Sequence, residues 1–300
     1  MVRHQKSPPL VGFVAAKQVK QRLAMVSKQL QRAAQASPDE PEPVHQLRVA
    51  CRRARATLDF FAAALPQRKS EWFLRKLRKL RKAADEARNL DVYRQRLKQQ
   101  EATLPGEVAA LLEKRRIAAQ KPLRKLNKQL RASKRWQQRQ RQLLKKLSSS
   151  RQRAPVLNQP FQAFVPLALA PTLAEFTAAL NSPGQSAKRL HALRVAGKHL
   201  RYALELLEPV FPKRLRTSLL AQLKRLQDVL GDLNDAATAE ILVAELALQA
   251  DGDALRWLKT QRKQERAAFS AGRSKFWRGW TQKERQKWQS ALERCASTQS

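Results

Sequence analysis

Residues 44–55 read VHQLRVACRRAR, and residues 190–201 read LHALRVAGKHLR, the same phrase displaced by 146 positions. On a helical wheel advancing about 100° per residue, His45, Arg48, Arg52 and Arg55 fall within roughly 80° of one another, while Leu47, Ala54, Leu58 and Phe61 gather on a separate arc. The second copy places His191, Arg194, Lys198 and Arg201 on one arc and Leu193, Leu200, Leu204 and Leu207 on the other. Each copy is predicted to be a helix with an apolar stripe for the core and a basic stripe beside it.

The rest of the chain has the same helical character. Only 8 glycines occur in 300 residues, alternating β-branched runs are missing, and Leu, Ala, Gln, Lys and Arg recur with helical periodicity, so the fold class is all-α. Breaks are expected at the Pro-, Gly- or Ser-rich stretches 37–43, 64–70, 103–107, 148–155, 181–186, 208–214 and 250–253. The repeat extends beyond the opening phrase: Leu47, Leu58 and Phe61 overlie Leu193, Leu204 and Leu207, and Arg78-Lys79 overlies Lys224-Arg225. This register predicts two helical bundles from an internal duplication, 39–150 and 183–300, with a linker at 151–182. Residues 1–38 supply an amphipathic helix, about 11–36, expected to pack outside the repeats. The charged stretch 134–153 reads as a solvated helix end running into a flexible linker.

The charge narrows the function. Sixty-one Lys and Arg against 24 Asp and Glu give +37, more than solubility requires, which points to a polyanionic partner. Cys51 and Cys295 lie far apart with no partner at metal-ligand spacing, so neither a disulfide framework nor a zinc site is expected, and a reducing cytosolic address fits. The apolar run LVGFVAA at 10–16 is shorter than a bilayer span and is followed by lysines and glutamines, so neither a membrane segment nor a signal peptide is expected.

Ten residues of helix rise about 15 Å, so each basic stripe is a track suited to a ligand with several spaced negative charges. Both histidines sit early in their helices, after Pro43 and Ser186, where free backbone N–H groups and the helix dipole would favour an anion. A neutral imidazole can donate to a phosphate oxygen, and the neighbouring arginines should oppose its protonation; a core-edge histidine bonded to a carbonyl is the alternative. Asp59 and Glu205 each lie four residues after an arginine, as orienting groups or as ordinary surface ion pairs. A second helix at 71–90 puts Phe73, Leu77, Leu80, Ala84 and Ala87 in the core and Arg75, Arg78, Lys79 and Lys82 on a basic stripe, partly repeated by Lys224 and Arg225. Asn89 overlies Asp235 and Arg88 overlies Asn234, and these read as structural hydrogen-bonding groups.

The phrases VHQLRVACRRARATLDFF and LHALRVAGKHLRYALELL, followed by LRKLRKAADEARNLDVY and LKRLQDVLGDLNDAA, resemble the paired hallmarks of the conserved histidine α-helical domain (CHAD) family over about 40–295. The resemblance implies two helical bundles related by a pseudo-twofold axis, with a basic central surface that binds inorganic polyphosphate. It carries over His45, Arg48, Arg52, Arg55, His191, Arg194, Lys198 and Arg201, while Asp85 departs from Gly231 in the second half. Polyphosphate granules are then one destination in the cytosol.

Two other function classes fit the residues less well. A nucleic-acid binder would interleave cations with aromatic platforms, and neither repeated phrase contains an aromatic; nonspecific nucleic-acid binding is the alternative partner. An enzyme with His45 or His191 as phospho-acceptor would need an acid or base partner and carboxylates for magnesium, which the stripes do not supply. The sequence therefore implies a non-catalytic binding module with no cofactor, whose candidate contacts are the eight residues above with Arg78, Lys79, Lys224 and Arg225.

Overall fold

The computed structural model describes residues 8–149, 154–207 and 213–297, and within them the chain is helical with no strand. The helices are α1 (Val11–Gln35), α2 (Glu42–Phe60), α3 (Gln67–Ala83), α4 (Asp85–Gln99), α5 (Gly106–Ala132), α6 (Arg135–Ser149), α7 (Phe161–Asn181), α8 (Ala187–Leu206), α9 (Lys213–Ala247), α10 (Gly252–Gly279) and α11 (Gln282–Ser297). The all-α class read from composition and periodicity is the fold observed.

Helix boundaries recur at the displacement seen in the opening phrase. Shifted by 146, α2 falls on 188–206 against Ala187–Leu206, α5 on 252–278 against Gly252–Gly279, and α6 on 281–295 against Gln282–Ser297. The same shift lays α1 on 157–181, where α7 stands, and α3 with α4 on the single long α9.

This corrects the boundaries expected from sequence. The first helix does not lie outside the repeated elements: α1 packs along α2 and buries Val14, Val19, Leu23, Val26 and Leu30. Residues 161–181 are not linker but helix, the counterpart of α1, with Phe161, Phe164, Val165, Leu169 and Phe176 buried. Pro166 and Pro171 disguise it, since an internal proline removes a helix hydrogen bond. Both prolines lie on the exposed side, where water can satisfy the freed carbonyls. By length and a mean hydropathy of 1.5, α7 is also apolar enough to cross a membrane, and 28% of that apolar window is buried in the bundle. The stretch at 134–153 likewise begins as a packed element, because α6 buries Trp136, Leu143 and Leu147; residues 150–153 lie outside the described residues.

The helix expected over 71–90 breaks at Ala84, whereas α9 continues through the equivalent Leu230–Gly231. The turn brings Asp85 to the start of α4, where it accepts a hydrogen bond from Arg48 of α2. The departure from Gly231 thus coincides with an ion pair that Gly231, lacking a side chain, cannot make.

A buried polar chain closes the first group of helices. Arg116 of α5, with no exposed surface, donates from Nε to Asp91 Oδ1 of α4 at 2.6 Å and from Nη1 to Gln120 Oε1 at 2.5 Å. Gln120 Nε2 in turn donates to the carbonyls of Ala33 (2.5 Å) and Ala36 (3.2 Å), which satisfies acceptors at the end of α1. Burial pushes the Asp91 carboxyl up, and the hydrogen bond and charge of Arg116 oppose that shift. Removing one member strands the other without solvent, so Arg116→Met should cost about 3–5 kcal/mol in urea unfolding. The double variant Arg116→Met with Asp91→Leu should recover much of it, because a packed apolar pair carries no stranded charge. Additive losses in the double variant would contradict this account.

Candidate anion-binding groove

The repeated helices α2 and α8 pack against each other and turn their basic stripes to a common opening. Their starts differ. Ser186 caps α8, its Oγ accepting from Arg189 N–H at 3.2 Å, while α2 starts with Pro43 in its first turn and no side-chain cap. The free backbone N–H expected at His45 is not available, since it donates to the Pro41 carbonyl at 3.1 Å.

An open groove of about 520 Å3 lies where α2, α3, α7 and α8 meet. Arg48, Arg52 and Arg55 enter it from α2, Arg78 and Arg81 from α3, and His191, Arg194 and Lys198 from α8. A smaller cavity of about 160 Å3 opens beyond, lined by His45, Arg88 and Asn89 on one side and Asn234 and Asp235 on the other. Arg48, Arg52, Arg194 and Lys198 line both spaces. The two histidines are therefore not equivalent: His191 faces the larger groove and His45 the smaller cavity.

Four predicted residues line neither of these spaces. Lys79 follows Arg78 by about 100° around α3 and faces another cavity with Trp72 and Leu130, and Arg225 lines the corresponding space in the second group of helices. Lys224 is exposed and lines none of the cavities described. Arg201 turns away to donate to the Tyr202 hydroxyl at 3.1 Å, its guanidinium 4.9 Å from that ring. Sequence reasoning missed Arg81, although it lies three residues after Arg78 on one helix face. Arg88, Asn89 and Asp235 were visible as recurring polar positions and were read as structural; they line the smaller cavity.

The groove holds few compensating charges. Arg48 pairs with Asp85, Arg55 Nε with Asp59 at 3.2 Å, and Glu175 is engaged by His199 Nδ1 at 2.9 Å. Arg52 Nε donates to the Tyr202 hydroxyl at 2.9 Å. Glu205 is shared: its Oε2 accepts from Arg53 Nε at 2.9 Å, and its Oε1 keeps the i,i+4 ion pair with Arg201 Nε at 3.9 Å, the ordinary pairing that was one of the two expectations. Arg194 Nε is buried without an acceptor among the described residues.

Crowding shows in the proton affinities. Burial, then the charges of Arg194 and Arg52, push the Lys198 ammonium down to about 7, with Asp235 opposing. Burial and four neighbouring arginines push Arg48 down to about 10. Both histidines are lowered as well, His45 by burial and then Arg88, His191 by burial and then Arg194. The arginines do oppose imidazole protonation, with desolvation the larger cause. Among the described residues no group of three or more His, Cys, Asp or Glu comes together.

The chain belongs to the CHAD domain family, whose family model matches residues 18–244. Among solved structures it is similar to the CHAD domain from the plant Ricinus communis, at 21% identity over 90% of this chain and 93% of that one, with a TM-score of 0.68. It is also similar to PptA from Streptomyces chartreusis, at 18% identity over 91% of this chain and 99% of that one, with a TM-score of 0.61. At these identities the likeness establishes the fold. No curated protein matches the sequence.

The low proton affinity of Lys198 makes stability depend on pH. The unfolded side chain holds its proton up to 10.5 and the folded one releases it near 7, so the unfolded state binds more protons between these limits and stability rises with pH across them. Lys198→Met removes a charge that opposes folding. It should therefore raise the unfolding midpoint most at pH 6, with the gain shrinking as pH approaches 10, followed by circular dichroism in urea. A gain independent of pH would contradict the assignment.

Proposed function

We propose that this protein binds inorganic polyphosphate, without turning it over, in the groove at the α2–α8 crossing. The observation that carries this reading is the convergence of Arg48, Arg52, Arg194 and Lys198, from two helices, on a space that also receives Arg55, Arg78, Arg81 and His191. A chain of phosphates offers evenly spaced charges to such a track, and guanidinium groups recognise phosphate oxygens through paired, charge-assisted hydrogen bonds. Membership of the CHAD family supports the same ligand class.

The lining favours bare phosphate over nucleic acid. Phe60 and Tyr202, its aromatic residues among those described, are both buried, and the Tyr202 hydroxyl is held by Arg52 and Arg201, so no ring is presented for base stacking. The carboxylates facing the groove, Asp59 and Glu175, are engaged by Arg55 and His199, which leaves no free acid pair to position magnesium. No phosphate release from polyphosphate with magnesium is therefore expected, and turnover abolished by His191→Ala would reverse the reading.

The decisive comparison holds total charge constant. Arg52→Gln with Arg194→Gln and Lys121→Gln with Lys125→Gln each lower the net charge of +37 by two, but only the first pair lines the groove; Lys121 and Lys125 are exposed on α5. In calorimetric titration with long-chain polyphosphate, the first pair should lose about tenfold or more in affinity per residue, the scale of a lost charge-assisted contact. The second pair should change little. Wild-type affinity should fall steeply with salt, since neutralising a polyanion releases its counterions. Equal losses in the two double variants, with helicity intact, would leave only a diffuse polycation.

A further inference from the structure

The two groups of helices treat one inter-helix space differently. In the first, Trp72 and Phe73 of α3 meet Trp136 of α6, with ring centroids 4.9, 5.0 and 6.1 Å apart, and Leu126 of α5 is buried nearby. The cavity left there is about 500 Å3. At the equivalent positions the second group has Ser218, Leu219, Gln282 and Gly272. Three aromatic rings are thus replaced by smaller or polar side chains. Gly272 lets α10 lie close along α9, since a Cβ there would fall 2.6 Å from Leu233 Cδ2. The result is an open groove of about 1310 Å3 bounded by α9, α10 and α11.

Its floor is apolar and part of it is uncovered. Leu226, Val229, Leu233, Phe276, Trp280 and Trp288 line it, and Val229 is 48% exposed. Trp280 is 8% exposed, and its indole N–H has no acceptor among the described residues, so the groove wall carries a hydrogen-bond donor in need of a partner. Around this floor stand six Lys and Arg side chains against two acids, Asp232 and Glu284. Glu284 is already paired with Lys287 at 3.3 Å, and Arg96 is committed to Glu265 at 2.5 Å.

We propose that this groove docks an amphipathic helix from a partner protein, with an apolar face flanked by acidic residues. Dimensions and charge select this occupant. From Gln222 to Ala236 the groove follows α9 for about 21 Å at 1.5 Å per residue, which matches four turns of a guest helix lying in a helical trough. Its volume exceeds the roughly 300–1,000 Å3 of small-molecule sites. The guest's leucines would cover Val229 and Phe276, and its flanking carboxylates would meet Arg225, Lys275 and Lys283. The site is separate from the α2–α8 groove, and the two share no lining residue.

The test uses the full-length protein and a labelled synthetic peptide of about 18 residues, five helical turns, with Leu along one face and Glu flanking it. Fluorescence anisotropy should show saturable binding that saturating polyphosphate does not displace. A peptide of identical composition in scrambled order should bind about tenfold or more weakly, because only the ordered one presents a face. Val229→Glu, a change at a half-exposed position, should weaken the ordered peptide by a similar factor while leaving polyphosphate affinity and helical circular dichroism unchanged. Failure of polyphosphate to bind would touch the preceding proposal alone. Equal binding of the scrambled peptide, displacement by polyphosphate, unaltered affinity in Val229→Glu, or a preference for anionic phospholipid vesicles over the peptide would each overturn this one.

Discussion

The buried apolar faces of α2 and α8 hold together cations that repel one another. Leu47, Ala50, Ala54 and Leu58 on one helix and Leu193, Ala196, Gly197 and Leu200 on the other are buried, and their burial sets where the adjoining basic stripes must lie. On its other side α8 packs against α7 and α9: a Cβ at Gly197 would lie 3.5 Å from Phe176, and the Gly197 carbonyl accepts from Gln227 Nε2 at 2.8 Å. The depressed proton affinities of Arg48 and Lys198 record the electrostatic work done by this packing. A ligand that supplies the missing negative charge relieves that work only in the folded state. An anion that bound there only in the folded state would therefore stabilise the fold.

The recurrence of helices at a fixed displacement does not make the two groups interchangeable. Asp85 at the α3–α4 break pins Arg48, whereas α9 runs straight through Gly231 and the cation equivalent to Arg48, Arg194, keeps a buried Nε without an acceptor among the described residues. One arm of the cation cluster is thus tethered and the other is available. The aromatic cluster of Trp72, Phe73 and Trp136 closes one inter-helix space, and its loss opens the counterpart. Helices that recur at one displacement but differ in side-chain volume thus leave two differently lined spaces, one dense in cations and the other broad with an apolar floor.

Much of the fold was legible because helix periodicity and the repeated phrase are strong local signals. The two stripes and the cap at Ser186 follow from residue spacing, whereas the meeting of Arg48, Arg52, Arg194 and Lys198 between two helices was implied only by the family resemblance. What spacing could not supply was the partner of each helix. Pro166 and Pro171 made α7 resemble linker because their cost depends on whether the freed carbonyls face water, which a sequence does not state. Lys79 and Arg225 lie one position from groove-facing or equivalent residues, and on a helix one position is a different face. The turn of Arg201 toward Tyr202 is a choice between neighbours made only in three dimensions.

The placement of acids explains how a chain with 24 of them still presents a cationic groove. Several are fixed where the two groups of helices meet, outside the lining of the cationic groove: Glu265 with Arg96 at 2.5 Å, Glu245 with Arg115, and Glu205 with Arg53 at 2.9 Å. Asp91 is sealed against Arg116 in the interior. An acid that is buried and hydrogen-bonded cannot swing across to neutralise a distant cation, so the field of the unpaired groove cations is not quenched from within. Glu265 is the clearest case, since it is 1% exposed and both of its oxygens accept from Arg96. The ion pairs that join the helices thus also keep the protein's own carboxylates out of competition with an external polyanion.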